Sequence, residues 1–122
     1  MLTLILGASP NPQRYAFLAQ QRLMAAGHAV LPVSPKGGEI LGVPVARDLA
    51  QVLAAGARVD TVTLYVGPDR LKPMAADLAA LAPRRVIFNP GTEDADMEAA
   101  LRQAGIETQE ACTLVLLGTG QY

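Results

Sequence analysis

The chain contains one cysteine, Cys112, and one histidine, His28. A single cysteine excludes an intrachain disulfide, which fits a reducing compartment. One cysteine and one histidine also cannot supply the nitrogen and sulfur ligands of a typical zinc site. A nucleophile–histidine pair would need His28, which follows the helix-ending Gly27 and is expected at the pole of the fold opposite the strand ends. The sequence therefore predicts no metal site and no catalytic residue.

Long apolar runs and clustered basic residues are missing as well. No apolar segment approaches the ~20 residues that cross a bilayer, and the N-terminus lacks the charged region and cleavage site of a signal peptide. The formal net charge is −1, and the ten Lys and Arg residues are scattered along the chain. A nucleic-acid-binding protein would carry a clustered basic face. We therefore expect a soluble, cytoplasmic protein that binds neither membranes nor nucleic acid.

What the chain does have is a strong alternation of apolar segments. Of its 122 residues, 51% are hydrophobic and 17% are charged, which is typical of one domain with its own core. Short segments rich in β-branched residues alternate with helical patterns, and this order predicts a parallel sheet covered by helices on both faces. The predicted strands are 2–6, 29–33, 61–66, 85–88 and 106–108. The predicted fold class is α/β: a single domain over 1–122 with a three-layer, doubly wound, Rossmann-like sheet of about five mostly parallel strands.

Helix boundaries follow from capping and breaking residues. Asn11 is expected to cap the first helix with Pro12 at its first position. Pro73 cannot lie deep inside a helix and is expected to mark a restart of the third. The predicted helices are 12–26, 46–55, 68–82 and 92–104. A short extended excursion is expected over 40–44, and no element is assigned to 111–122.

In such sheets ligands bind beyond the carboxyl ends of the strands, so the first strand-to-helix turn is the first candidate site. The turn Gly7-Ala8-Ser9-Pro10-Asn11-Pro12 is expected to leave backbone N–H groups unpaired and pointing one way, where an anion would bind. Ser9 and Arg14 add a hydroxyl and a guanidinium for phosphate oxygens. The turn lacks the second and third glycines of the dinucleotide fingerprint. The alternative interpretation is an ordinary turn without a ligand.

The loop after the second strand distinguishes between ligand classes. An NAD site places an acidic residue here to bind the ribose 2′-hydroxyl, whereas this chain has Ser34, Pro35 and Lys36. A carboxylate would repel a phosphate on that ribose, and Lys36 would attract it. A lone lysine in a turn can also be simply solvated. The loop favours a ligand phosphorylated on its adenosine ribose, either coenzyme A or NADP, over NAD.

The loop 89–94 after the fourth strand brings acidic residues to a predicted helix start. Glu93, Asp94 and Asp96 are expected in the first turn, where they stabilise the helix dipole. They would discourage a second phosphate, so this end of the cleft better suits an uncharged arm of a ligand. Cys112 is interpreted either as a small buried hydrophobe or, if it lies beside the cleft, as a reactive thiol.

Several motifs, in this order, resemble the family of small stand-alone CoA-binding domains, which are similar to the CoA-binding domain of the succinyl-CoA synthetase α subunit. The motifs are Gly7-Ala8-Ser9-Pro10-Asn11-Pro12-x-Arg14-Tyr15, Val30-x-Pro32-Val33-x-Pro35-Lys36, Ile40-x-Gly42, Pro68-x-x-x-x-Pro73 and Cys112-Thr113. The resemblance covers nearly the whole chain and implies a Rossmann-like fold that holds coenzyme A by its phosphates and adenine. One departure is Asn89-Pro90-Gly91, where many relatives have a Gln-x-Gly-like turn.

The resemblance also implies roles for individual residues. Gly7, Ala8, Ser9 and Arg14 would lie near the pyrophosphate, Pro35 and Lys36 at the adenosine end, and residues 65–68 along the adenine pocket. The complete set of candidate cofactor-binding residues is Gly7, Ala8, Ser9, Asn11, Arg14, Tyr15, Ser34, Pro35, Lys36, Tyr65, Val66, Pro68, Asn89 and Gly91.

Coenzyme A or an acyl-CoA is therefore the expected ligand, bound by a non-catalytic carrier or sensor. The synthetase subunit phosphorylates a histidine in a second domain that this chain lacks, so ligase chemistry is not expected. One alternative is an NADP-dependent oxidoreductase. Another is a protein-interaction module without a ligand, which would expose an apolar patch such as 114–117. A second copy of the chain or another protein remains open as a partner.

Overall fold

Strands and helices alternate along the chain in the computed structural model, which describes residues 1–122. The strands are β1 (Leu2–Leu6), β2 (Ala29–Val33), β3 (Glu39–Ile40), β4 (Val43–Pro44), β5 (Thr61–Leu64), β6 (Arg85–Phe88) and β7 (Glu107–Glu110). The helices are α1 (Tyr15–Ala25), α2 (Leu49–Ala54), α3 (Pro68–Leu71), α4 (Ala75–Leu81), α5 (Ala95–Gln103) and α6 (Thr113–Gly118), with a 3-10 turn Lys72–Met74 between α3 and α4. No helix combines the length and the apolar character that a membrane span requires.

Five parallel strands form the main sheet in the order β2-β1-β5-β6-β7, and β3 pairs with β4 in a separate antiparallel hairpin. In the internal strand β1, Thr3 lies opposite Val30 of β2 and Thr61 of β5. Every residue of β5 and β6 is buried, as expected for parallel strands covered on both faces. The predicted α/β fold with a doubly wound, Rossmann-like sheet is confirmed.

Helices cover the sheet on two faces because neighbouring strand residues point in opposite directions. On one face, Leu4 and Leu6 of β1 pack in a core with residues of α2, α4 and α5. On the other face, Ile5 packs with Ala16 and Leu23 of α1. Helix α6 lies against α1 on this second face. The arrangement gives the three layers that the alternating pattern predicts.

The exposed apolar patch that the alternative of a protein-interaction module would place over 114–117 is not formed. These residues belong to α6, in which Leu116 is buried and Leu114 and Leu117 are half-buried. Only Val115 is largely exposed, at 59%. The apolar residues of this helix face α1 and the sheet rather than solvent because the helix has one buried side.

Two helices begin later than predicted because an aspartate further along the chain caps them. Helix α2 starts at Leu49 rather than Ala46, and the Asp48 carboxylate accepts a hydrogen bond of 2.8 Å from the Gln51 N–H. Helix α5 starts at Ala95 rather than near Thr92, and the Asp94 carboxylate accepts from the N–H groups of Asp96 and Met97. Both aspartates satisfy N–H groups of the first turn, which defines the start of each helix.

Helix α1 also begins three residues later than predicted, at Tyr15 rather than Pro12. The Asn11 side chain accepts from the Gln13 N–H at 3.0 Å, and the Asn11 carbonyl accepts from the Arg14 N–H at 3.0 Å. These bonds close a turn ahead of the helix, and Arg14 takes the N-cap position without a side-chain cap. Asn11 therefore shapes the loop and does not cap the helix.

Other boundaries agree with the predictions or differ slightly. The extended excursion over 40–44 forms the β3–β4 hairpin, and the 3-10 turn at Lys72–Met74 contains Pro73, where the restart was expected. Strand β5 ends at Leu64 and not at 66, and β7 is shifted to Glu107–Glu110 from the predicted 106–108. None of these shifts changes the order of the sheet.

Candidate functional site

A cavity of about 460 Å³ opens at the carboxyl ends of β1, β2 and β5. From β1 the chain moves to β2 on one side and later returns to β5 on the other, so the cavity lies where the strand order reverses. This is the usual ligand position in doubly wound sheets. Its lining residues are Gly7, Ala8, Ser9, Pro10, Arg14, Tyr15, Ala16, Ser34, Pro35, Lys36, Tyr65, Val66 and Arg70.

The cavity brings together most of the predicted site residues from three separate loops. The exceptions are Asn11, Pro68, Asn89 and Gly91, which do not line it. The sequence reasoning missed Pro10, Ala16 and Arg70. Arg70 could have been found, because it lies in the loop segment after a predicted strand that the fold places beside the phosphate turn.

The turn after β1 depends on a glycine. Gly7 has a φ of +90°, and a Cβ atom at this position would lie 2.9 Å from the Tyr65 carbonyl oxygen and from Val66 Cγ1. Only glycine combines this conformation with such a close approach of the β1 and β5 loops. Gly7 therefore sets the distance between two walls of the cavity.

The free N–H groups of the site match the predicted turn only at Ser9. The N–H groups of Gly7 and Ala8 both donate to the Val33 carbonyl oxygen of β2, at 3.0 Å each. The N–H groups of Ser9, Tyr15 and Ala16 have no acceptor within the protein. Two of these belong to the first turn of α1, whose partial positive charge favours anions. The free N–H groups thus come mainly from the first turn of α1 and less from the glycine turn.

Three cations from three loops line the cavity. Arg14 precedes α1, Lys36 follows β2 and Arg70 lies in α3 after β5. None of them takes part in an ion pair, and no aspartate or glutamate lines the cavity. Their charges are therefore not neutralised within the protein, and a cleft with one sign of charge concentrates ligands of the opposite sign.

The loop that carries Lys36 is held by backbone bonds at its base. The Ser34 N–H donates to the Ala46 carbonyl at 2.9 Å, and the Gly37 N–H donates to the Ser34 carbonyl at 3.0 Å. The resulting turn places Ser34, Pro35 and Lys36 along the cavity wall. No acidic side chain occupies the position at the end of β2 where an NAD site would have one.

Tyr65 lines the cavity and carries a phenol hydroxyl that lies near Thr63 and Thr113. Burial raises the pKa of this phenol to about 12, and the neighbouring hydroxyls of Thr63 and Thr113 offset part of the effect. The side chain stays protonated at neutral pH. It can donate or accept a hydrogen bond but does not act as a base there.

Asn89 is part of the internal framework. Its Nδ2 atom donates to Thr63 Oγ1 at 2.7 Å and to the Leu64 carbonyl at 2.8 Å, while its Oδ1 atom accepts from the Thr113 N–H at 2.9 Å. These bonds join β5, β6 and the start of α6. The loop after β6 lies one strand beyond the point where the order reverses, so its residues stay away from the cavity.

A second cavity of about 320 Å³ adjoins the first. The two share Gly7, Ser34, Pro35, Val66 and Arg70 in their linings. The second cavity adds apolar and charged side chains, namely Leu6, Val33, Arg47, Asp48, Leu49, Pro73, Met74 and Asp77. Together they form one cleft with a cationic compartment and a second compartment in which the charges are mixed.

The single cysteine and the single histidine lie outside both cavities. Cys112 is half-buried at the N-cap position of α6, makes no side-chain capping bond and does not line the cleft. His28 contacts the Tyr122 ring edge-on, with 5.1 Å between ring centroids, at the opposite end of the sheet.

Comparison with known proteins adds independent information. The family model described as "CoA binding domain" matches residues 2–118. The crystal structure of an uncharacterized protein is similar to the chain with a TM-score of 0.90 and 43% identity, covering 99% of this chain and 97% of that one. A Thermus thermophilus protein gives a TM-score of 0.87 at 27% identity, with coverages of 99% and 90%. A hypothetical protein from Pyrococcus horikoshii OT3 gives 0.82 at 26% identity, with coverages of 93% and 78%. No curated protein matches the chain significantly.

Proposed function

The chain belongs to the CoA-binding domain family, and we propose that it binds coenzyme A or an acyl-CoA in the cationic cavity at the ends of β1, β2 and β5. The pyrophosphate binds at Ser9 and the first turn of α1, and Lys36 binds the phosphate on the adenosine ribose. The observation that carries the proposal is a cavity lined by three unpaired cations and no carboxylate.

The chemistry of this cavity matches a ligand with two separate phosphate groups. Arg14 lies beside the free N–H groups of the α1 turn, which together suit a pyrophosphate. Lys36 follows β2, the neighbour of β1 in the sheet. In doubly wound sheets the end of this second strand lies beside the adenosine ribose. With no carboxylate at that position, a ribose phosphate meets attraction and no repulsion.

We propose that the protein itself is a carrier or sensor and does not catalyse a reaction. The polar side chains of the cavity are cations and hydroxyls, and the lining includes no histidine, cysteine or carboxylate. Tyr65, with its pKa raised to about 12, does not accept a proton at neutral pH. Such a set of groups binds and orients phosphates, but it lacks a side chain that exchanges protons near pH 7.

Isothermal titration calorimetry with coenzyme A, dephospho-CoA, NAD and NADP tests the proposal. We expect coenzyme A to bind more tightly than dephospho-CoA by about 1–3 kcal/mol, the contribution of a charge-assisted hydrogen bond. In the Lys36→Ala variant this preference should disappear. Lys72→Ala is the matched control, because Lys72 is the only other lysine and lies outside the cavity.

Each ligand also serves as a control for an alternative. Equal affinity of the wild type for coenzyme A and dephospho-CoA would remove the role of Lys36. Tighter binding of NADP than of coenzyme A would favour an oxidoreductase. Absence of binding of all four ligands would contradict the proposed function and favour a protein-interaction module.

A further inference from the structure

Arg70 is the only charged residue in the wall that the two cavities share. The other shared residues are Gly7, Ser34, Pro35 and Val66, which offer backbone groups, one hydroxyl and apolar surface. A ligand that extends from one compartment into the other lies along this shared wall, which includes Arg70. Arg70 is therefore placed to contact the middle of such a ligand.

The charge of Arg70 is not used inside the protein. Its side chain makes no hydrogen bond and no ion pair, although Asp48 and Asp77 line the same second cavity. The side chain is exposed, so solvation removes most of the cost of leaving it unpaired. The guanidinium remains free to pair with an anion that enters the cleft.

The backbone holds Arg70 next to the phosphate turn. The Tyr65 N–H donates to the Leu6 carbonyl at 2.8 Å, which extends the β1–β5 pairing to the edge of the cavity. Beyond it, the Arg70 N–H donates to the Gly67 carbonyl at 3.1 Å and closes the first turn of α3. Arg70 thus approaches the turn after β1 from β5, whereas Lys36 approaches it from β2.

We infer that Arg70 closes the phosphate site from the β5 side and binds the pyrophosphate of the ligand opposite Arg14. This inference rests on the proposed function and adds a specific contact to it. Arg70 is a binding residue in this assignment, because a planar guanidinium binds two phosphate oxygens at once. The ribose phosphate remains the partner of Lys36.

Arg70→Ala, measured by calorimetry with coenzyme A and with dephospho-CoA, tests the inference. Both ligands carry the pyrophosphate, so we expect both to lose affinity by the same factor, about tenfold. Arg58→Ala is the matched control, since Arg58 is also exposed and unpaired but lies outside both cavities. The control should change either affinity by less than about twofold. Thermal unfolding of both variants should match the wild type.

The outcomes separate this inference from the proposed function. If the wild type binds coenzyme A and Arg70→Ala binds both ligands as tightly as the wild type, the role of Arg70 is refuted and the proposed function stands. A loss confined to coenzyme A would assign Arg70 to the ribose phosphate and would also overturn the inference. A wild type that binds neither ligand would overturn both proposals. Equal losses for the two ligands, with an unaffected Arg58→Ala control, would support it.

Discussion

Arg84 and Arg85 at the amino end of the parallel sheet have partners within the chain, whereas the cations that line the cavity at the carboxyl end have no carboxylate partner. At the amino end, the Arg84 guanidinium pairs with the Asp60 carboxylate at 3.1 Å and with Glu107 at 3.7 Å. Arg85 is buried there and lies 4.6 Å from the centroid of the Tyr122 ring. Both of these arginines therefore have a partner within the chain.

At the carboxyl end, Arg14, Lys36 and Arg70 line a cavity and pair with no carboxylate. Tyr122 covers the amino end, where its hydroxyl shares a hydrogen bond with Thr3, and nothing comparable fills the cavity at the other end. The comparison shows that Arg84 is paired within the chain, whereas the cations that line the cavity have no carboxylate partner. Substitutions at the two ends should therefore have different consequences.

The largest effect is expected from replacing a glycine at each end. Gly7→Ala at the cavity should lower the free energy of unfolding by about 3–5 kcal/mol, because a positive φ adds to a backbone contact of 2.9 Å. Gly27→Ala at the amino end has a similar φ of +87° but open space around it, so about 1 kcal/mol is expected. Urea unfolding followed by circular dichroism measures both. Equal losses of unfolding free energy in the two variants would show that the close contact between the β1 and β5 loops does not add to the cost of Gly7→Ala.

A smaller effect is expected from breaking the charge pairing at the amino end. Asp60→Asn should cost about 1 kcal/mol at pH 7, because two hydrogen bonds from Arg84 become weaker. The Arg84 hydrogen bond lowers the pKa of Asp60 below its ordinary value of 3.8. This stabilisation is complete above that value and is lost as the pH falls through the pKa of the folded state.

Unfolding of the wild type and of Asp60→Asn should therefore differ at neutral pH and converge in acid. Asp77→Asn, in the second cavity, is the control, since Asp77 has no cation partner, and it should change stability by less than about 0.5 kcal/mol. A constant difference between wild type and Asp60→Asn down to the lowest pH would contradict the electrostatic explanation.

The smallest effect is expected at Glu98, a buried carboxylate whose one cation contact, with Arg102, is 3.9 Å long. Burial and the nearby Glu110 raise the pKa of Glu98 above its ordinary value of 4.5, and its Oε2 atom has no hydrogen-bond partner. Because the pKa of Glu98 is higher in the folded state than in the unfolded state, its ionisation lowers stability. The loss is absent below the unfolded-state pKa and complete above the folded-state pKa. Glu98→Gln should thus stabilise the protein by about 0.5–1 kcal/mol at pH 7.

Thermal unfolding at several pH values tests the Glu98 prediction. Glu110→Gln should give a smaller gain, because it removes the like charge and leaves Glu98 buried. Arg102 Nη1 lies 3.9 Å from Glu98 Oε1 and acts in the opposite direction. A loss of stability in Glu98→Gln at pH 7 would mean that this ion pair outweighs burial and repulsion.

Most of the fold was predictable because its signals are local. The β-branched strands, and stops such as Gly27 and Gly105, depend only on neighbouring residues, and their order is sufficient for a doubly wound sheet. The start of α1 was not predictable in the same way. Asn11 and Pro12 have the features of a helix start, but Asn11 instead closes a turn with Gln13 and Arg14.

The candidate site was only partly predictable, since it depends on which loops meet. Lys36 and Ser9 were found from their positions at strand ends, and both line the cavity. Arg70 follows a predicted strand, but it was missed because only the fold shows that this segment lies beside the turn after β1. Asn89 was included because it begins the loop after the fourth predicted strand, but its side chain bonds to Thr63, Leu64 and Thr113.

By itself, the amino-acid sequence determined the alternation of strands and helices and the residue types available at each strand end, because both follow from patterns that span a few residues. Only the tertiary structure decided which strand ends adjoin one another and which N–H groups remain free. The Gly7 and Ala8 N–H groups donate to the Val33 carbonyl of β2 and are therefore not free. The strand order places the β5 loop beside β1. Both results depend on contacts between residues far apart in the chain, which no local pattern encodes.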